Sequence, residues 1–269
     1  MDKLRRSERI VIMTKILLNQ PRTIFSLNYF AQQFQAAKST ISEDLAIIRQ
    51  TFDENQLGQI ETIPGAAGGV RYVPRQDSAR TEEWLLELVQ KLSKPDRILP
   101  GGFLYMTDII FDPQIAGQLG EIFATRFADL DPDFIVTIET KGIPLALMTA
   151  RAFNVPLIIV RADSRVTEGP SVSINYVSGS SRRIQSMSLP RRAMPAGARV
   201  IIIDDFMKAG GTARGMQELM DEFRAEVLGM GFFMETASPP DKLVANYLAL
   251  LRLEKLDEVK REILIRPVK

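Results

Sequence analysis

The stretch Val200-Ile201-Ile202-Ile203-Asp204-Asp205-Phe206-Met207-Lys208-Ala209-Gly210-Gly211-Thr212-Ala213 decides the fold of this chain. Four β-branched residues in succession leave no polar face. The strand they form must be covered on both sides, as in a parallel sheet under helices. Two aspartates stand at its carboxyl end, then come a lysine, two glycines and a threonine, and Arg214 to Phe223 suits a helix. Open α/β sheets receive ligands at such places, where strand ends meet helix N-termini. Glycines without side chains let backbone N–H groups close around phosphate oxygens, and Thr212 adds a hydroxyl donor. Asp204 and Asp205 repel phosphate; they suit sugar hydroxyls as hydrogen-bond donors, or a divalent cation. The layout fits a hydroxylated sugar carrying a phosphate beside a cation-bridged polyphosphate. The plainer alternative is a strand–turn–helix with a Gly-rich turn.

The same pattern resembles the phosphoribosyl-pyrophosphate (PRPP) signature of type I phosphoribosyltransferases: hydrophobic strand, two acidic residues, short spacer, small-residue loop ending in Thr. The resemblance implies that Asp204 and Asp205 face the ribose hydroxyls and that Ala209, Gly210, Gly211 and Thr212 cradle the 5′-phosphate. Lys208 would compensate its charge, with Phe206 and Met207 in the same binding segment. Earlier, Ile138-Glu139-Thr140-Lys141-Gly142-Ile143-Pro144 joins a buried strand to a helix. Gly142 can let backbone amides point at an anion and Lys141 adds a charge. By resemblance this is the pyrophosphate loop, with Thr140, Lys141 and Gly142 as its ligand contacts. Arg161 is expected at the same anion or in a surface ion pair. Phe103 and Tyr105, beside Pro100-Gly101-Gly102, are stacking candidates or core residues. The segment from Thr167 to Arg183, rich in Gly, Ser and Asn and ending in Arg182-Arg183, reads as a cover over the site or as an exposed hairpin.

Composition narrows the function classes. The 269 residues are 45% hydrophobic and 25% charged, enough to bury a sizeable core in one large or two ordinary domains. Net charge is +1, so any nucleic-acid binding must come from a local surface. The chain has no cysteine and no histidine, which excludes disulfides, Ser-His-Asp triads, Cys-His pairs and Cys/His zinc sites. Nothing at the N-terminus reads as a signal, and no apolar run approaches the ~20 residues of a membrane span. We therefore expect a cytoplasmic protein without a membrane partner.

The first 74 residues read differently from the rest. Arg6 to Leu18 carries apolar residues at helical spacing (Ile10, Val11, Met13 or Thr14, Leu17, Leu18), and Pro21 stops it. Leu27 to Phe34 predicts a second helix. A third is expected from about Ser39 to Phe52, with Ser39 as N-cap and Ile41, Leu45, Ile48 and Phe52 inward. Ile60 to Ile63 and Val70 to Val73 alternate like strands around the tip Pro64-Gly65-Ala66-Ala67-Gly68-Gly69. Three helices and a hairpin make the winged helix-turn-helix plan. Its third helix would offer Lys38, Ser39, Thr40, Ser42 and Arg49 to a major groove. Gly68 and Arg71 in the wing, and Arg5 and Arg6 at the start, complete the expected DNA-facing set. A small helical oligomerisation domain is the alternative, and Glu43 and Asp44 count against DNA unless turned away from it.

From residue 75 to 269 we expect strands and helices in alternation, a βαβ series and hence a mostly parallel sheet. Pro74 to Arg80 reads as a linker. Thr81 to Leu92 reads as a helix with Trp84, Leu85, Leu88 and Leu92 on one side, and Phe103 to Ile110 as a strand. Asp112-Pro113 should open a helix. Phe134 to Ile138, Leu157 to Val160 and Val227 to Met234 are expected strands, and Ile143 to Phe153 a helix. Val172 to Val177 and Gln185 to Leu189 are expected to pair. Lys242 to Leu251 is read as a helix, followed by a charged tail of no clear type.

Taken together, the chain is similar to the purine operon repressors of Gram-positive bacteria. The residues behind the likeness are Leu4-Arg5-Arg6-Ser7, Ala37 to Asp44, Pro64 to Val70, Arg97 to Gly102, Val166 to Gly169, Asn175 to Ser181 and the signature. The resemblance implies a type I phosphoribosyltransferase-like domain behind a winged helix, without transferase activity. It also implies a homodimer on paired double-stranded DNA sites upstream of purine genes, repressor rather than activator. PRPP would be the effector, purine nucleotides its competitors and Mg²⁺ its companion, with no required cofactor. A purine salvage transferase with an N-terminal appendage is the rival reading.

Overall fold

The computed structural model describes residues 4–65, 67–162, 169–177 and 184–268. They form two compact units: residues 1–77 with 151–154, and residues 78–150 with 155–269.

The first unit opens with α1 (Arg6–Asn19), α2 (Leu27–Phe34) and α3 (Lys38–Asn55). Strands β1 (Gln59–Ile63) and β2 (Gly69–Val73) follow, paired antiparallel with Ile60 opposite Tyr72. Phe25 adds a third rung, exchanging backbone bonds with Val70 at 2.8 and 2.9 Å. Gly69 is needed there, because a Cβ would meet the Phe25 carbonyl oxygen at 2.1 Å. Met13, Leu17, Phe30, Phe34, Ile41, Leu45, Ile48, Phe52, Ile60 and Tyr72 share one core. Two expectations need correcting. Val11 points outward at 68% exposure, while Arg9 is buried in its stead, because it pairs with Asp44. Ser39 does not cap α3; the N-cap is Ala37, without a side-chain bond, which leaves the Ser39 side chain exposed.

The second unit starts with α4 (Ser78–Leu92), three residues earlier than expected, so the linker is shorter. Thr81, Leu85, Leu88 and Leu92 are its buried stripe, and Trp84 is only half-buried. Strands β3 (Ile98–Leu99) and β4 (Phe103–Leu104) make a small hairpin. The strand expected to run on to Ile110 instead becomes α5 (Thr107–Ile110). Helical spacing wins there. Met106, Ile109 and Ile110 bury together, and Asp108 receives both Arg97 Nη atoms at 2.8 Å. Helix α6 (Pro113–Arg126) is capped as expected, with Asp112 accepting from the Gln114 and Ile115 amides.

The main sheet is built from β5 (Phe134–Ile138), β6 (Leu157–Val160), β9 (Arg199–Met207), β10 (Glu226–Thr236), β11 (Tyr247–Asp257) and β12 (Glu262–Pro267). Its order is β12-β11-β10-β9-β5-β6, parallel except for the edge strand β12. Val200 to Ile203 are all 0% exposed, as their unbroken branched pattern demands. Helix α7 (Ile143–Phe153) links β5 to β6, and α8 (Gly211–Glu222) links β9 to β10. Strands β7 (Ser171–Val177) and β8 (Ile184–Pro190) form a separate antiparallel hairpin that packs on α8.

No helix forms over Lys242 to Leu251: residues 242–246 are irregular, β11 begins at Tyr247, and β12 in the charged tail is its antiparallel partner. The apolar residues Ala249, Leu250, Leu251 and Leu253 fit either period. The open edge of β10 decides, because it needs a partner for its backbone groups; the ladder runs from Met230 opposite Tyr247 to Thr236 opposite Leu253.

Candidate functional site

Strand order places the site. From β5 the chain crosses to β6 on one side, and from β9 it crosses to β10 on the other. Neighbouring strands whose connections leave in opposite directions open a crevice at their carboxyl ends. A cavity of about 420 Å³ lies there. Thr140 and Lys141 line it from the loop after β5, and Asp204, Asp205, Phe206, Met207, Lys208, Ala209, Gly210, Gly211 and Thr212 from β9 and the start of α8. Two loops more than sixty residues apart in sequence thus converge as expected.

Gly210 caps α8 at φ 88°, a left-handed conformation natural to glycine. Gly211, Thr212 and Ala213 of the helix's first turn line the cavity, which puts free backbone amides and the positive end of the helix dipole at its wall. Gly142 stands behind the wall. A Cβ there would meet Thr137 Oγ1 at 2.3 Å and Asp204 Oδ1 at 2.4 Å, so glycine lets the two loops close together. The Glu139–Thr140 peptide is cis, and Glu139 Oε1 accepts from the Ala162 amide at 2.8 Å.

The aspartate pair is electrostatically loaded. Asp204 is 5% exposed and accepts the Asp205 amide at 2.9 Å. Burial, then the charge of Asp205, hold its carboxyl well above the usual carboxylate range. Burial also raises Asp205, against the opposing hydrogen bond from Asp204 and the charge of Lys141. Two adjoining carboxyls that resist full ionisation can both donate and accept hydrogen bonds, which matches a pair of sugar hydroxyls. Among the described residues no group of three or more acidic side chains converges as a metal cage.

Tyr105 and Arg161 do not line this cavity. The Tyr105 amide donates to the Arg97 carbonyl beside the β3–β4 hairpin, and its side chain is 40% exposed. Arg161 exchanges backbone bonds with Ser188 at 3.0 and 2.7 Å, tying β6 to β8. In their place the fold brings in Tyr176 and Gln185 from the hairpin and Phe232 from β10. The Tyr176 hydroxyl donates to Gln185 Oε1 at 2.9 Å; burial raises the phenol, opposed by a hydrogen bond with Thr212. Only the pairing of Tyr176 with Gln185 was legible in sequence, through the hairpin expected there. The proposed cover from Thr167 to Arg183 lies in part outside the described residues, as do Ala66, Arg182 and Arg183.

In the first unit, α3 buries Ile41, Asp44, Leu45, Ile48 and Phe52. That turns Lys38, Ser39 and Ser42 to solvent, with Thr40 and Arg49 half-buried. Lys38, Ser42 and Arg49 line a cleft of about 290 Å³ between α3 and the wing, together with Thr62, Gly65 and Gly68. Arg49 donates through Nη2 to Thr62 Oγ1. The acidic residues that spoke against DNA are largely neutralised. Asp44 is fully buried, receiving Arg9 Nε at 2.8 Å and Arg6 Nε at 3.0 Å, and Glu43 lies 3.6 Å from Arg6. Arg6 and Arg71 are both engaged internally, Arg71 with Glu61 at 2.8 Å. Arg5 is exposed at the start of α1.

Comparison with known proteins agrees with both units. Residues 5–74 match the family described as bacterial purine repressor, N-terminal, and residues 106–260 match the phosphoribosyl transferase domain. The chain is 49% identical over 264 residues to the purine biosynthesis transcriptional repressor PurR of Bacillus subtilis, covering 98% of this chain and 93% of that one. It is 39% identical over 260 residues to the purine biosynthesis transcriptional activator PurR of Lactococcus lactis, covering 97% and 96%. Among solved structures, adenine phosphoribosyltransferase from Saccharomyces cerevisiae superposes with a TM-score of 0.54 at 24% identity, covering 64% of this chain and 98% of that one. That likeness concerns the fold.

Proposed function

The chain belongs to the bacterial purine repressor family, and from that premise we propose that it is a DNA-binding transcriptional regulator of purine biosynthesis genes, with PRPP as its effector. The winged helix reads duplex DNA through Lys38, Ser39 and Ser42. The Asp204–Asp205 pair takes the ribose hydroxyls of PRPP, the amides of Ala209 to Thr212 its 5′-phosphate, and Lys141 with the Thr140–Gly142 loop its pyrophosphate. The observation that carries the reading is a Gly-rich, acid-walled crevice in the same chain as a winged helix in which Glu43 and Asp44 are paired with Arg6 and Arg9. Relatives spanning nearly the whole chain are named as transcriptional regulators, so the crevice serves sensing rather than turnover. The 49% identity to a named repressor favours repression.

Physically, PRPP changes DNA affinity only if it prefers one of two states, with a coupling of about 1–3 kcal/mol. We take the chain to act as a homodimer on paired sites, with purine nucleotides competing for the crevice. A divalent cation would come in on the ligand's pyrophosphate, next to Asp204 and Asp205. No helix among the described residues is long and apolar enough to cross a membrane, and we place the protein in the cytoplasm.

Gel-shift titration of duplex DNA from upstream of purine genes, with and without PRPP, tests the reading. We expect binding that weakens steeply with salt and shifts with PRPP. DNA affinity indifferent to PRPP would refute the effector role. Release of pyrophosphate from PRPP on adding a purine base would favour the salvage transferase instead.

A further inference from the structure

Behind the phosphate loop stands a lysine that the effector reading leaves unused. Between β10 and β11, residues 237–246 pass along the back of the segment Lys208–Gly210. From this crossing the Lys242 ammonium donates to the carbonyl oxygens of Lys208 at 2.5 Å and Thr236 at 2.6 Å. The Thr236 hydroxyl is shared between the carbonyls of Ser238 at 2.8 Å and Lys208 at 3.2 Å. One residue on, the Leu243 amide donates to the Ala209 carbonyl at 2.9 Å. The crossing also fits closely against Gly210, where a Cβ would stand 3.2 Å from the Leu243 nitrogen. Lys242 is not among the residues lining the crevice.

In a trans peptide the carbonyl and the following N–H point in opposite directions. Drawing the Lys208 and Ala209 carbonyls onto the crossing therefore aims the amides of Ala209 and Gly210 the other way, toward the crevice. The charge-assisted bond is the strong one of the set. We propose that Lys242 is a positioning residue for the monophosphate half of the effector, fixing through the Lys208 carbonyl the aim of the Ala209 amide, beside the Gly210 amide that the Leu243 backbone holds, without touching the ligand. This rests on the reading of the crevice as a PRPP site and deepens it.

The test is calorimetry on the full chain with two probes used separately: ribose 5-phosphate for the Lys208–Thr212 segment and inorganic pyrophosphate for the Thr140–Gly142 loop. Lys242→Met should weaken ribose 5-phosphate about tenfold, the equivalent of about 1.4 kcal/mol. Pyrophosphate affinity and DNA binding without effector should stay within about twofold, a split that general loosening would not produce. Lys242→Arg, which keeps a cation able to donate to both carbonyls, should recover most of the loss. Equal loss of both probes, or of neither, overturns the proposal. If Lys242→Met does not fold, Thr236→Val decides: a weaker selective loss of ribose 5-phosphate supports the role, and unchanged affinity overturns it. A wild-type chain that takes up neither ribose 5-phosphate nor PRPP would instead remove the effector reading itself, and this role with it.

Discussion

Each unit buries an aspartate, and the two are treated in opposite ways. Asp44 in the first unit is wholly enclosed but meets two guanidinium groups, Arg9 at 2.8 Å and Arg6 at 3.0 Å. Asp204 in the second is almost as enclosed, yet among the described residues no cation pairs with it. Its neighbours are a second carboxyl, Thr137 and the space left by Gly142. A buried charge with its counter-ions inside holds elements together, here α1 to α3. A buried carboxyl without them is pushed toward its neutral form, and groups perturbed in this way concentrate where ligands bind. The same residue type thus marks a structural joint in one unit and, on the reading proposed above, a ligand site in the other.

The comparison is most strongly tested by removing a counter-ion. Arg9→Met would leave Asp44 buried beside Arg6 alone, and should cost roughly 3 kcal/mol. A loss of DNA binding should accompany it, while PRPP binding to the second unit persists; an unchanged melting curve would mean that the pair is not a joint. Next in size, Asp204→Ala with Asp205→Ala should weaken PRPP about hundredfold, as expected for two or more lost hydrogen bonds. DNA binding without effector should survive, and its loss in a folded double mutant would show that the two units do not divide the work.

Lys38→Ala gives a smaller effect. If Lys38 meets a phosphate, the slope of DNA affinity against salt should flatten by about one ion, whatever the operator sequence. An unchanged slope would remove it from the interface. The smallest effect concerns pH. Asp204 is raised in the folded state, so that state holds its proton longer than the unfolded chain does. Stability from this group is then full below the ordinary carboxylate range and is lost as pH rises toward the raised value. Asp204→Asn cannot ionise and should lack that decline, so its melting temperature relative to wild type should rise as pH goes from acid to neutral. Parallel melting curves across pH would argue that the Asp204 carboxyl is not held protonated by its burial.

How far the site could be read from sequence depends on whether its signals were local. The run Val200–Thr212 carries its own chemistry, because branched residues, carboxylates and glycines follow one another in the order in which the buried strand, the cavity wall and the start of α8 follow in space. Lys38, Ser39 and Ser42 were legible for the same reason: helical spacing buries Ile41, Leu45 and Ile48 and leaves the other face exposed. Tyr105 and Arg161 stand outside the cavity lining, which no local pattern indicates, because the ends of short strands give no hint of which way the chain then turns. Lys242 has no local signal, because apolar spacing over Lys242 to Leu251 predicts a helix where the chain instead crosses behind Lys208–Gly210.

Composition and local pattern alone determined three helices and a hairpin ahead of a mostly parallel α/β sheet, an acidic pair beside a Gly-rich strand-to-helix turn, and the absence of any histidine or cysteine chemistry. These are properties of neighbouring residues, and periodicity and residue type carry them. Tertiary structure decided the rest: that β10 recruits β11, that Arg9 turns inward to meet Asp44, and that Tyr176 and Gln185 close one side of the crevice. The physical reason is that unpaired backbone groups, buried charges and open faces are satisfied by whatever the fold brings near, at sequence separations that no local pattern records.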